Sequence, residues 1–388
     1  MQQPSVPVFQ PHLGVDTVKA VTDAFDVGWI GMGAETRGFE SDLQATLGTD
    51  RPVVATMTGT SALHLATRFA GVGPGDEVIM PSFNFVADVQ AVAWTGATPV
   101  FADIDDRTLA LDPSRVAEMI TPRTRVIMPL HFAGIVGDLD AVYDLARTHR
   151  LRVIEDATHA LGSTHGGRPI GSFGDITCFS FDPVKIITSL DGGAVVLPAG
   201  ADVAALHRLR LLGIDKDTTE RYRNRRAWDY DVLDTGFRDH MTNINAAIGR
   251  SQLRRLDEFV ANRRRDARAY NEAFAGLDWL AVPRTDFAAV GPFIYTVRVA
   301  AGRRAALIDH LRTRGIATGI HFLPCHAKTF CRSFPRGPMD VTDRVSAEIL
   351  TLPLWSSMPR DVRDRVIEAV VTFEPARPVA TPGARARS

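Results

Sequence analysis

Residues 171–196 read GSFGDITCFSFDPVKIITSLDGGAVV, and the organisation of the chain follows from this stretch. An apolar, β-branched run at 177–181 leads directly into a loop carrying a single lysine, Lys185, and the pair Gly192-Gly193 then lets the chain turn into another apolar run at 194–198. A lone lysine is ordinarily a solvated surface residue. Lys185, however, stands between Val184 and Ile186-Ile187, which draw its amine out of water, lower its pKa and suit it to covalent chemistry with a carbonyl. Upstream, similar runs at 53–57, 77–80, 99–103, 125–130 and 152–156 bring the expected strands to seven. Helix-period segments at 62–71, 86–96, 113–120 and 139–150 alternate with them, the pattern of an α/β fold whose mostly parallel sheet is covered on both faces.

Downstream of Gly200 the strand signal stops, Arg/Asp-rich sequence follows to about residue 240, and one long helical pattern runs over 241–274. Strand-like runs at 293–300 and 318–322 flank a helix at 303–314 that Gly315 stops, and a last helix is expected at 361–372. The expected division is a large domain over 1–245, a small C-terminal α+β domain over 246–375 and a disordered tail at 376–388.

Composition sets the class of partner. With 388 residues, 45% hydrophobic, the chain can bury a large core without disulfide or metal staples. Its 44 Lys+Arg against 45 Asp+Glu leave a net charge of -1, so no global field draws in nucleic acid or an anionic membrane, and small molecules held by local constellations are the expected partners. Cys178, Cys325 and Cys331 make no disulfide framework and no zinc-type spacing, which points to a reducing cytoplasm. The start, MQQPSVPVFQPHLGVD, lacks a basic region followed by an apolar one, and no run reaches the ~18 apolar residues of a membrane span.

Two further places carry chemistry. Thr58-Gly59-Thr60-Ser61 follows a strand and opens a helix, so first-turn amides, hydroxyls and the positive helix end favour a phosphate; a plain N-cap is the other reading. Glu155-Asp156 closes the strand 152–156, where α/β proteins present functional groups to a crevice; here too the alternative is a helix cap.

The joint order of the motifs resembles the sugar-nucleotide aminotransferases of the DegT/StrS-like group, pyridoxal-phosphate enzymes of the aspartate-aminotransferase fold (fold type I). The likeness runs through GWIGMG at 28–33, TGTSALHLA at 58–66, GVGPGDEVIMPSFNFVAD at 71–88, GATPVFADID at 96–105, VIEDATHALGS at 153–163, the stretch 171–196, MTNINAAIGRSQL at 241–253, RGIATGIHFLPCH at 314–326 and LPLW at 352–355. The resemblance implies that Lys185 is the lysine covalently attached to pyridoxal 5'-phosphate, and that Asp156 faces the pyridine nitrogen and keeps it protonated. Thr60, Ser61 and Ser180 match the phosphate cup. Phe85, with Phe83 as fallback, matches the aromatic against the ring face. His159 matches a Gln or His near the phenolic oxygen; a helix-surface histidine is the other reading. Trp29, His321, Phe322 and His326 fall where the resemblance implies contact with the sugar.

Arg238, in Gly236-Phe237-Arg238-Asp239-His240-Met241, stands where relatives place an Asn that reaches the phosphate across a dimer interface, and a guanidinium is compatible with that role. Asp191 stands for a usual Glu and Ile186 for a frequent Asn. Lys185 argues against the branch of dehydratases that carries histidine there. The implied activity is ping-pong transfer of an amino group, by way of pyridoxamine 5'-phosphate, from L-glutamate to a nucleotide-linked ketosugar in aminodeoxysugar (including antibiotic) biosynthesis by a homodimer. C4 of a dTDP-4-keto-6-deoxyhexose is favoured by GFRDHMTNINAAIG; a 3-keto-sugar enzyme and a catalytically silent cofactor-binding regulator are the alternatives.

Other features read differently. Gly31-Met32-Gly33 and 71–75 lack the context of a dinucleotide fingerprint, and His321, Cys325 and His326 lack metal spacing. Arg254, Arg255, Arg263, Arg264, Arg265 and Arg268, interleaved with acids, read as a solvated face. Arg221, Arg223, Arg225 and Arg226 read as a plain surface loop or a clamp for a nucleotide-sugar diphosphate.

Overall fold

The apolar runs of the first half become β1 (Val53–Thr56), β2 (Glu77–Pro81), β3 (Thr98–Ala102), β4 (Thr124–Ile127), β5 (Arg152–Asp156), β8 (Ile176–Ser180) and β9 (Gly193–Val196), while β6 (Thr164–His165) and β7 (Arg168–Pro169) form a separate two-stranded hairpin. The computed structural model describes residues 5–215, 229–300 and 302–374; the arginines at 221–226 and the tail at 376–388 lie outside the described residues. The seven strands form one sheet in the order β1-β9-β8-β5-β4-β2-β3. Only β9 runs against its neighbours, β1 and β8. The other pairings are parallel, as the alternation with helices requires.

Both faces of the sheet are covered, and successive residues divide between them. Val53 and Ala55 belong to one core with Phe179, Ala194 and Val196, whereas Val54 belongs to another with Cys178, Val195 and Leu197. This explains why the strands read as continuous apolar runs rather than alternating ones. Because β1, β2, β5 and β8 point the same way, their carboxyl ends share one edge, and the loops that follow them converge there.

The second half departs from expectation in three places. The pattern at 241–274 is two helices, Asn243–Leu253 and Leu256–Phe274. At the bend the Arg255 N–H bonds the carbonyl of Gln252, one residue short of helical register, at φ -109° and ψ 8°. Gln252 is buried and its Nε2 donates to the His12 carbonyl at 2.8 Å, which ties the first helix to the N-terminal segment while the second packs against the helix Arg360–Val371. Residues 318–322 form no strand. Only Gly319 pairs there, with Thr351, and the third strand of the small antiparallel sheet is β12 (Ile349–Leu352), beside β11 (Tyr295–Val299) and β10 (Leu280–Ala281). That strand follows the helix Asp340–Glu348 with no turn residue between, so no boundary marks it. Finally, Arg263 is not on a solvated face. It is 2% exposed, and its guanidinium donates to Ser356 Oγ and to the carbonyl of Phe293, both at 2.8 Å. Burial of the stem and head pulls its pKa down to about 9.

Candidate active site

The shared strand edge opens into a cavity of about 310 Å³. Strand periodicity decides what β5 offers to it. Adjacent side chains point to opposite faces, so Asp156 lines the cavity while Glu155 turns away to His131 Nε2, at 2.9 Å, and the Tyr143 hydroxyl, at 2.6 Å. Asp156 is 2% exposed, and its Oδ1 accepts the Thr158 N–H at 2.9 Å.

Lys185 enters from the loop between β8 and β9, which an Asx turn shapes: Asp182 Oδ1 accepts the Val184 N–H at 3.0 Å and the Asp182 carbonyl accepts the Lys185 N–H at 3.0 Å. The Nζ lies 4.2 Å from the centroid of the Phe293 ring. Burial lowers its pKa to about 8, against the pull of the Asp156 and Asp182 charges. The loop is braced from behind, because Ser356 Oγ, held by Arg263, donates to the Ile186 carbonyl at 3.3 Å.

After β1 the chain turns into the helix Gly59–Phe69, and the N-cap reading of 58–61 is seen directly. Thr58 Oγ1 caps the helix by accepting the Ser61 N–H at 2.9 Å, while Thr60 lines the cavity opposite Ser180 at the end of β8. Gly59 is required by this approach, since a Cβ there would lie 2.6 Å from Ser180 Cβ. Phe85, 58% exposed, lines the cavity beyond β2, whereas Phe83 is wholly buried against Phe132 and has no access.

His159 sits in a turn after β5 rather than on a helix surface, and is 5% exposed. Its ring packs 4.4 Å from Phe293, its Nδ1 is buried without a partner, and burial with Lys185 and His321 nearby keeps it neutral. His321 and Phe322 complete the wall; His321 Nδ1 pairs with Thr351 Oγ1 at 2.8 Å and burial lowers its pKa to about 4.

Four expected residues are not brought to this wall. Ser61 Oγ is 3.0 Å from Thr58 Oγ1 and bonds Asp239. His326 bridges Ser82 Oγ at 2.8 Å and Asp343 at 3.1 Å. Trp29 donates from Nε1 to the Met32 carbonyl at 2.9 Å, and Arg238 is exposed on a bridge with Leu211. Conversely, Asn84, Asp88, Thr158, Asp182 and Phe293 line the cavity without having been singled out. Asp88 had a signal, an acid seven residues beyond β2 in a largely apolar helical segment; Phe293 had none, because its place depends on Arg263 at a distance in sequence.

The residues present fit pyridoxal phosphate. A buried amine beside a buried carboxylate, a helix end with hydroxyls cradled by Gly59, an exposed aromatic and an orphaned imidazole nitrogen match the aldehyde, ring nitrogen, phosphate, ring face and phenolic oxygen in turn.

Comparison with known proteins agrees. The model of the DegT/DnrJ/EryC1/StrS aminotransferase family matches residues 11–371. The spore coat polysaccharide biosynthesis protein SpsC of Bacillus subtilis (strain 168) is 35% identical over 374 residues, 94% of this chain and 96% of that protein. The aminotransferase TlmJ from Streptoalloteichus hindustanus is 35% identical with a TM-score of 0.87, covering 94% of this chain and 97% of the other. The PMP form of the putative sugar aminotransferase Spr1654 from Streptococcus pneumoniae is 29% identical with a TM-score of 0.88, covering 94% and 98%, and a PLP form of it is similarly close. Fold and site thus define a pyridoxal-phosphate enzyme of fold type I. The chain belongs to the DegT/DnrJ/EryC1/StrS aminotransferase family, and it is an aminotransferase.

Proposed function

We propose that this aminotransferase moves an amino group from L-glutamate to the keto carbon of a nucleotide-linked sugar, at C4 of a dTDP-4-keto-6-deoxyhexose. The observation that carries the chemistry is Lys185, its ammonium pulled down to about 8, in one cavity with Asp156. Pyridoxal phosphate, when bound, supplies an aldehyde to carry the amino group and a ring to take up the electron pair released at Cα. Asp156 keeps the ring nitrogen protonated through its charge. Lys185, with a neutral fraction near pH 8, takes the proton from the donor's Cα, and in the reverse half of the cycle gives one to the acceptor carbon. Thr60, Ser180 and the helix end hold the phosphate, Phe85 covers the ring and His159 meets the phenolic oxygen.

Lys185 supplies the one Lys or Arg side chain among the described residues lining the cavity, so a phosphate dianion lacks a cation of its own there. Arg238, exposed and outside the cavity of its own chain, is suited to reach the phosphate of a second copy in a homodimer. Exposed Val15, Val18 and Phe25 lie on one side of the helix Val15–Asp26 as an apolar stripe that a second copy covers. The three free, buried cysteines suit a reducing cytoplasm, and among the described residues no helix is long and apolar enough to cross a membrane.

The test is turnover of a panel of 3-keto and 4-keto nucleotide sugars with glutamate, with 2-oxoglutarate and aminosugar both measured. Amination of the 4-keto compounds is expected. Amination only at C3 moves the site of transfer, and bound cofactor with no turnover of any ketosugar favours a silent regulator.

A further inference from the structure

Asp88 lies in the helix Ala87–Ala93, 1% exposed, and lines the same cavity as Asp156. Its neighbours fix its chemistry. Asn84 Oδ1 accepts the Phe85 N–H at 2.6 Å, so the Asn84 amide is oriented with its Nδ2 donating to Asp88 Oδ2 at 2.7 Å. The remaining group facing Asp88 is the carboxyl of Asp156 itself, on the wall of the same cavity. Two carboxylates are acceptors only, so the two can be joined by a hydrogen bond only with a proton between them.

The surroundings decide which group carries it. Asp156 has the Thr158 N–H and the field of Lys185 to support a negative charge, whereas Asp88 has one neutral amide. The other titratable groups facing the pair do not supply a cation: Glu155 is turned to His131 and Tyr143, and burial pushes the thiols of Cys178 and Cys325 up, the latter to about 12.

We propose that Asp88 is a positioning residue, a carboxylic acid kept protonated at neutral pH that donates its hydrogen bond to Asp156, fixing that carboxylate and leaving a single negative charge for the ring nitrogen of the cofactor. This rests on the reading of Asp156 as the partner of the ring nitrogen. With the Thr158 N–H on one oxygen and the Asp88 O–H on the carboxyl group, Asp156 is held from two sides. An ionised Asp88 would instead place a second charge beside the first and push the two side chains apart.

The test is infrared spectroscopy of the full-length protein, in both cofactor-free and cofactor-loaded forms, for the carbonyl stretch of a protonated carboxylic acid sensitive to deuterium exchange. The wild type should show this band from pH 6 to 8. Asp88→Asn should lack it, because the amide donates to Asp156 without a titrating proton. Asp156→Asn should lack it too, because its amide can donate to Asp88 and let that group ionise. Absence of the band in folded wild-type protein, or its persistence in both variants, overturns the proposal. A second readout separates positioning from mere packing. In the loaded enzyme the donor half-reaction of Asp88→Asn should exceed that of Asp88→Ala by about tenfold, the loss of one hydrogen bond to a charged group. Equal rates in the two variants contradict the role. The cofactor-free spectra do not depend on where the cofactor attaches, so a lysine other than Lys185 would overturn the site while leaving the proton between the two acids in place.

Discussion

A Lys185 amine with a pKa near 8 reacts with aldehydes at pH values where an ordinary lysine is protonated. The rate at which cofactor-free protein captures pyridoxal phosphate should therefore rise with pH to a midpoint near 8; a midpoint close to the ordinary 10.5 would show a solvated amine. The sign for stability follows. Between those values the unfolded chain binds the proton and the folded one does not, so this group's contribution favours folding as pH rises through that window. For Asp156, the Asn variant should fold yet slow the glutamate half-reaction by about two orders of magnitude or more, since an amide does not hold the ring nitrogen charged. An unchanged half-reaction would leave Asp156 as a turn-forming residue on Thr158. The placing of Asp156 and Lys185 in the cavity was legible in the sequence, because Asp156 ends β5 and Lys185 stands in the short loop between two apolar strands, β8 and β9. Phe293 was not, because its place depends on Arg263, which only the fold brings near; Asp88 stood out as an acid in a largely apolar segment, but its closeness to Asp156 did not show in the sequence.

The turn between β1 and the helix Gly59–Phe69 carries a tight steric requirement at the site. Gly59→Ala places a Cβ 2.6 Å from Ser180 Cβ and 3.3 Å from its Cα, so the helix end must draw back from β8. The expected cost is about 1–3 kcal/mol of stability, together with weaker cofactor binding, measured as a lowered Tm and a raised Kd for pyridoxal phosphate. Unchanged values for both would show that the phosphate is not held at this turn. The seven sheet strands were readable because each is an apolar run bounded by polar turns. The bend at Arg254 and Arg255 was hidden, since leucines at 253 and 256 keep the helical period across it. The helix Asn243–Leu253 packs on the helices Val15–Asp26 and Ala34–Leu47, so we propose that the division expected at 245 lies at this bend.

At the scale of the whole molecule, the fold leaves a cavity lined by one lysine and, in the same chain, an arginine exposed away from it. If Arg238 serves the neighbouring subunit, Arg238→Ala and Lys185→Ala proteins, each impaired alone, should regain activity when mixed under conditions of subunit exchange. One site of the mixed dimer then has both residues intact. No recovery after demonstrated exchange would assign Arg238 to its own chain or to none. The central claim, that this chain is built around one lysine that carries the cofactor, has a more direct test. The sequence holds only four lysines, Lys19, Lys185, Lys216 and Lys328, so borohydride reduction of the cofactor-loaded protein followed by peptide mapping gives an unambiguous answer. The label is predicted on the peptide containing Lys185 and absent from the others; a label on Lys19, Lys216 or Lys328 with Lys185 unmodified would contradict the account.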